Sequence, residues 1–159
     1  MRKRPCAAWV LACALALCPG CARQPKGPGP LLEIEQLGVC LHIPANWTVD
    51  PDNPWRFKGK DGVGKVLYEP LVGRDLDGCV DDMLRADGGE VISRTETAVD
   101  GRPAREVLCE DRENETTAVR LFFPVGEMVV EVSIEVPTKE FARQQGLLRE
   151  SLRSVRVSG

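Results

Sequence analysis

The sequence predicts an α+β fold in which a mostly antiparallel β-sheet is flanked by helices. Segments of strand length alternate apolar and polar side chains, and short turns rich in Gly, Pro, Asp and Asn separate them. Two other segments repeat apolar residues with the helical period instead. Hairpin-connected strands, with one helix between them and one at the end, are typical of α+β domains.

The predicted strands cover most of the chain after residue 31. Alternation begins at Leu32 and Ile34, is interrupted at Gly38 and resumes over 39–43. The turn sequences GKDGVG, DGRP, RENE and PVGE separate later candidates. These further strands are expected at 55–58, 65–71, 91–99, 104–110, 116–123 and 127–136.

Two amphipathic helices are predicted. Asp75 is placed to cap the first helix, and Gly88 is placed to end it. The second helix begins around Thr138. Apolar residues line one face of each helix: Leu76, Cys79, Val80, Met83 and Leu84 in the first, and Phe141, Leu148, Leu152 and Val155 in the second.

The N-terminal segment has the three parts of an export signal. Basic residues at 2–4 precede an apolar run at 7–17, and the sequence CPGC then ends at Cys21. A run of about eleven residues is too short for a transmembrane helix, which needs roughly twenty. We therefore expect residues 1–20 to be removed as a signal peptide.

The end of this signal resembles the lipobox of bacterial lipoproteins, in which a cysteine is acylated and becomes the new N-terminus. Cys21 follows the small residue Gly20, although Cys18 stands where the family prefers Leu. Cleavage before Cys13 would leave too short an apolar run, and Leu17 is too bulky for cleavage before Cys18. The resemblance implies lipidation of Cys21, with palmitate among the chains. Unlipidated secretion is the alternative.

These signals divide the chain into three parts. Residues 1–20 form the signal peptide, 21–30 form the lipidated cysteine and a Pro/Gly-rich tether, and 31–159 form one domain. We expect a protein of the bacterial cell envelope, exported and anchored by its lipid on the periplasmic face. In the lipoproteins that this chain resembles, an Ala such as Ala22 after the cysteine favours the outer membrane.

The charge balance argues against nucleic acid as a partner. Removal of residues 1–20 takes away three basic side chains and no acidic one, so the formal charge falls from −3 to −6. An acidic domain without a basic stripe cannot release counterions from a phosphate backbone.

Three segments resemble the PsbP-like group of proteins. They are LGVCLHIPANW at 37–47, VISRTETAVDGRPAREV at 91–107 and LLRESLRSVRV at 147–157, where Val155 replaces the Phe usual in the group. The resemblance implies a PsbP/Mog-like α/β/α sandwich. The group includes the PsbP subunit of photosystem II, DcrB-type bacterial lipoproteins and Ran-binding Mog-type proteins. Its members bind and assemble, and they share no reaction.

No motif in the sequence predicts catalysis, a metal or a cofactor. Gly59, Gly64 and Lys65 match part of a phosphate-binding loop, but Val66 replaces the Ser or Thr that would hold magnesium and a strand follows. Nucleotide binding is therefore not expected. His42 is the single histidine, without an identified nucleophile. Zinc-ligand and calcium-loop spacings are also missing.

The candidate site residues are cysteines and tryptophans. Cys40, Cys79 and Cys109 allow one disulfide in an oxidising compartment, or three reduced core thiols, and the spacing does not choose among the pairings. Trp47 and Trp55 are candidates for contact with a ligand or partner, although Trp47 also suits a core position.

These observations favour a membrane-anchored, non-enzymatic module that binds a protein of the cell envelope. A carrier of a small apolar ligand, held in a pocket between helix and sheet, is the first alternative. An unrecognised enzyme using His42 or an acidic cluster is the second alternative.

Overall fold

The computed structural model describes residues 28–158. The predicted signal peptide, the candidate acylation site Cys21 and most of the predicted tether lie outside the described residues. The elements, in order, are β1 Leu31–Ile34, β2 Val39–His42, β3 Thr48–Asp50, β4 Asn53–Gly59, β5 Gly62–Pro70, α1 Leu76–Asp87, β6 Glu90–Val99, β7 Arg102–Asp111, β8 Thr116–Val125, β9 Met128–Pro137, α2 Thr138–Arg153 and β10 Arg156–Val157.

The strands form two antiparallel sheets. The larger sheet has seven strands in the order β3-β4-β5-β9-β8-β7-β6, and the smaller has three in the order β1-β2-β10. Successive strands of the larger sheet are neighbours except β5 and β6, which α1 connects, and β9 lies between β5 and β8. The predicted α+β class and antiparallel pairing are confirmed.

The main core lies between one face of the seven-stranded sheet, α2 and the three-stranded sheet. Phe57, Phe123 and Leu41 from the sheets and Leu148 and Leu152 from α2 are buried in it. Burying each such side chain contributes roughly 1.5–3 kcal/mol. The amphipathic pattern of α2 therefore places this helix on the sheet.

Helix α1 covers the opposite face. Its apolar residues Cys79, Val80 and Leu84 pack with Val107 and Phe122 in a second, smaller cluster. This arrangement gives the seven-stranded sheet one helix on each face, as the resemblance to the PsbP-like group implies.

The ends of α1 follow local sequence signals. The carboxylate of Asp75 accepts the N–H of Gly78 at 2.8 Å, which caps the first turn. Gly88 ends the helix with φ +77°, a backbone conformation that glycine adopts without strain. Arg105 and Arg94 from the sheet donate hydrogen bonds to Asp77 at 2.7–2.9 Å and hold the N-terminal end of the helix.

Two short strands, β3 and β10, are absent from the strands that the sequence predicts. β3 has three residues and β10 has two, too few to show an alternating pattern. Each is defined by its partner, β4 for the first and β2 for the second. No helix within residues 28–158 is long and apolar enough to span a bilayer.

Candidate functional site

The candidate site is a break in the seven-stranded sheet between β4 and β5. The two strands pair from Gly59 and Gly62 at the turn as far as Arg56 and Lys65, and the ladder stops there. β5 continues to Pro70 and stays paired with β9 on its other side. Residues 66–70 therefore present a strand edge that no described strand covers.

A cleft of about 570 Å³ occupies this break. Residues of β4, β5 and β9 line it, half of them apolar or aromatic and half of them polar or charged. Its volume lies within the range of about 300–1,000 Å³ that is typical of small-molecule sites. Its walls include Trp55, Arg56, Lys65, Leu67, Tyr68 and Glu135.

Two aromatic rings meet across the break. The ring centroids of Trp55 and Tyr68 are 5.5 Å apart at an interplanar angle of 43°, a tilted contact. Tyr68 is 48% exposed and Leu67 beside it is 41% exposed. Large side chains exposed next to an open strand edge are typical of a binding surface.

A charged cluster borders the cleft on the α1 side of the sheet. Lys65 lies 3.8 Å from the carboxylate of Asp87, the last residue of α1. Arg120 of β8 also forms an ion pair with Asp87, and its guanidinium lies 3.5 Å from the carboxylate of Glu131 on β9. Lys65 thus joins the cleft wall to the C-terminal end of α1.

The buried members of this cluster are incompletely satisfied. Arg120 and Glu131 are 5% and 2% exposed. The Nε of Arg120 and the Oε1 of Glu131 have no hydrogen-bond partner among the described residues. Burial raises the pKa of Glu131, because the charged carboxylate loses its hydration, although Arg120 and Lys65 oppose the shift.

The two candidate tryptophans lie in different environments. Trp55 lines the cleft. Trp47 is 6% exposed, belongs to the main core and contacts the ring of Phe57 at 6.0 Å between centroids. The structure therefore brings Trp55, Tyr68 and Lys65 together and places Trp47 elsewhere. Tyr68 carries no motif in the sequence, and exposure at an open strand edge is what distinguishes it.

The three candidate cysteines are free thiols in the structure. Cys79 and Cys109 belong to the cluster beneath α1, whereas Cys40 lies on β2 in the three-stranded sheet. Burial raises the pKa of Cys79, and it raises the pKa of Cys109 to about 11. Of the three pairings that the sequence leaves open, only Cys79 with Cys109 joins residues of one buried cluster.

His42 has a structural position. Its Nδ1 lies 2.9 Å from the carbonyl oxygen of Gly29, and its backbone N–H donates to the hydroxyl of Ser154 at 2.8 Å. Ser151 donates to the carbonyl oxygen of His42 at 2.6 Å. The two serines thus contact its backbone, and the ring holds the start of the described chain. Within residues 28–158, no group of three or more His, Cys, Asp or Glu side chains could hold a metal ion.

The segment that partly matches a phosphate-binding loop is the β4–β5 hairpin. Its glycines make room for aromatic rings. A Cβ on Gly62 would lie 2.7 Å from the ring of Trp47, and a Cβ on Gly64 would overlap the ring of Phe57. These glycines are explained by packing.

The other long edge of the sheet is protected. β6 pairs with β7 alone, and the ladder is irregular at Ile92, between Val91 and Ser93. Arg94 and Glu96 follow along the same strand. A bulge and charged residues discourage the addition of another strand. β6 also exposes Val91 and Ile92, but they lie at its bulge, whereas Leu67 and Tyr68 lie on a regularly paired part of β5.

Several solved structures are similar to this one, and three of them illustrate the likeness. Cyanobacterial PsbP (CyanoP) from Synechocystis matches with a TM-score of 0.63 at 13% identity, covering 91% of this chain and 99% of that chain. A protein from Bacteroides thetaiotaomicron matches with a TM-score of 0.52 at 12% identity, covering 84% of this chain and 50% of that chain. PA94, a protein of unknown function from Pseudomonas aeruginosa, matches with a TM-score of 0.53 at 11% identity, covering 80% of this chain and 96% of that chain.

No protein-family model and no curated protein matches the sequence. At the identities of the three structures, the likeness concerns the fold alone. The antiparallel sheet with a helix on each face and the match to CyanoP lead to one conclusion: the chain has a PsbP-like fold.

Proposed function

We propose that this protein is a lipid-anchored, non-enzymatic binding module of the bacterial cell envelope, and that the cleft between β4 and β5 receives its protein partner. The observation that carries the proposal is the uncovered edge of β5 beside the Trp55–Tyr68 pair. An extended partner segment would add to this edge by backbone hydrogen bonds, and one of its side chains would contact the two rings. The lipid on Cys21 would hold the module at the membrane.

The charged groups of the cleft would select the partner segment. Arg56 forms no ion pair with any described residue, whereas Lys65 forms an ion pair with Asp87. An acidic side chain of the partner would find a counter-charge at Arg56. Glu135, on the same face of the sheet, would favour a basic residue further along the segment.

Site-specific photocrosslinking in cells tests this proposal. A photoreactive phenylalanine analogue replaces Tyr68 in one variant and Thr95, on the protected β6 edge, in a control variant. The crosslinked partner is identified, purified and tested for binding. We expect crosslinks from position 68 alone, and we expect Trp55→Ala to weaken binding of the purified partner at least tenfold. Equal crosslinking from both positions would contradict the proposal.

A small apolar ligand is the second candidate for the same cleft, because its volume and aromatic wall suit one. The sequence predicts a pocket between helix and sheet, whereas this cleft lies between two strands. The groove between α2 and β6 has a volume of about 370 Å³ and is lined by Arg149, Arg153 and Glu106, among other residues. Native mass spectrometry of the purified protein distinguishes the candidates, because a carrier retains a bound small molecule.

A further inference from the structure

The β4–β5 hairpin concentrates positive charge in an acidic chain. Residues 56–65 contain Arg56, Lys58, Lys60 and Lys65, and a single acidic residue, Asp61. Three of the four lysines within residues 28–158 are in this segment. The hairpin is therefore a basic feature on a domain whose formal charge is negative.

Three of these cations are available to an external partner. Arg56 and Lys60 are exposed and form no ion pair with a described residue. The side chain of Lys58 is 58% exposed, and its contact with Asp50 at 3.7 Å is a surface pair that contributes little. Lys65 is the exception, because Asp87 neutralises it.

The start of the described chain is fixed close to this hairpin. Gly29 packs against the backbone from Ile43 to Ala45, and the carbonyl oxygen of Pro30 accepts the N–H of Ile43 at 2.9 Å. The N–H of Trp47 donates to the carbonyl oxygen of Pro44 at 3.0 Å. The ring of Trp47 then lies against Gly59 and Gly62 at the hairpin turn. The side chain of Trp47 thus lies between the first described residues of the chain and the turn of the β4–β5 hairpin.

We propose that Lys58 and Lys60 at the turn of the β4–β5 hairpin dock on the anionic headgroups of the bilayer beside the anchor at Cys21, while Arg56 stays at the cleft. The inference rests on the anchoring in the proposed function. Pro28 follows Cys21 by seven residues, a span of at most roughly 25 Å. The hairpin turn is therefore within reach of the membrane surface. A lipid chain combined with a basic patch binds membranes more firmly than either alone.

This docking would orient the cleft. β4 runs from the turn at Gly59 to Asn53 at the cleft, about 20 Å along an extended strand. With the turn on the membrane, the uncovered edge of β5 lies at the end of the strand remote from the membrane and is open to a partner.

Amide hydrogen exchange of the mature protein on vesicles tests the docking. The protein is purified from membranes, its N-terminal residue and acylation are read by mass spectrometry, and it is reconstituted in phosphatidylcholine with or without phosphatidylglycerol. We expect exchange at 56–62 to slow on the vesicles that contain phosphatidylglycerol and to recover at high salt. Each cation near an anionic surface contributes about fivefold, so Lys58→Glu/Lys60→Glu should reduce the docked-to-undocked ratio by at least roughly thirtyfold.

A matched variant separates local docking from overall charge. Arg85→Glu/Arg153→Glu makes the same change in net charge on α1 and α2, and it should retain the slowed exchange. Equal exchange on both kinds of vesicle overturns the docking and leaves the cleft untouched. The docking is also overturned if both double variants lose the slowed exchange at 56–62 equally. It is overturned too if exchange at 56–62 slows only when an acidic protein partner is added. An unacylated N-terminus overturns the anchor and the docking together, and mass spectrometry identifies that outcome separately.

Discussion

Phe57 lies opposite Gly64 in the β4–β5 hairpin, and its ring fills the space that a side chain at Gly64 would need. An aromatic ring that covers a glycine on the neighbouring strand stabilises a position where glycine alone would weaken the sheet. The relationship gives a packing reason for a glycine that also fits part of a nucleotide-binding motif. It predicts that this glycine matters for stability.

Replacing Gly64 with Ala should lower the free energy of unfolding by about 1–3 kcal/mol, because the added methyl group forces the ring of Phe57 out of a filled core. Gly146→Ala is the control, since a Cβ there has open space within α2. That change should stabilise the protein by about 0.5–1 kcal/mol. Urea unfolding measures both. If Gly64→Ala does not lower the free energy of unfolding relative to Gly146→Ala, the packing role of Gly64 is refuted.

The two tryptophans should separate stability from binding. Trp47→Ala removes a buried ring and should cost about 3–5 kcal/mol of unfolding free energy. Trp55→Ala removes a partly exposed ring at the cleft and should cost less than half as much while weakening partner binding. Denaturant unfolding and a binding assay on the same samples decide the matter. Comparable destabilisation by both changes would place Trp55 in the core instead.

Glu131 should make stability depend on pH in an unusual direction for an acid. Because its pKa is raised in the folded protein, the protonated form is favoured there, and its contribution to stability is full below the unfolded pKa of about 4.3. That contribution falls as the pH rises through the folded pKa. Glu131→Gln keeps the neutral shape, so it should gain stability relative to the unmodified protein as the pH rises from about 4.

Thermal unfolding of both proteins across this pH range measures the difference. Glu135→Gln is the control, because Glu135 lies on the same strand and face but is only partly buried. A stability difference between the Glu131→Gln variant and the unmodified protein that does not change with pH would mean that folding leaves the pKa of Glu131 unchanged.

The cysteines should react in a fixed order. Cys79 and Cys109 are buried and their pKa values are raised, so little reactive thiolate forms near neutral pH. Cys40 is partly exposed and should be alkylated first in the folded protein. Peptide mass spectrometry after timed treatment with iodoacetamide reports the order. Three alkylated residues after unfolding without reductant would show that all three are thiols, whereas a protected pair would identify a disulfide.

Most of the fold was predictable because its signals are local. The cap at Asp75 and the glycine after Asp87 bound α1, and alternation marks the long strands. The cleft was not predictable in the same way. It depends on where β4 leaves β5, beyond Arg56 and Lys65, and the end of a ladder between two strands is a tertiary feature that the alternation within either strand does not mark.

The buried charges were also missed, for a tertiary reason. Arg120 and Glu131 are charged residues of β8 and β9, and in a strand of alternating pattern a charged side chain is expected to face solvent. They face the side of the sheet that α1 covers, and Asp87 at the end of that helix pairs with Arg120. The packing of the helix therefore determines their burial, and the residue pattern of the strands does not predict that packing.

The central claim is that β5 has an uncovered edge at 66–70, and residue-resolved amide exchange along β5 of the purified protein tests it most directly. Alternate amides of an antiparallel strand point to opposite neighbours. We expect every amide at 63–65 to exchange slowly, whereas alternate amides at 66–69 exchange quickly because they point into the cleft. Uniformly slow exchange from 63 to 69 would contradict the account.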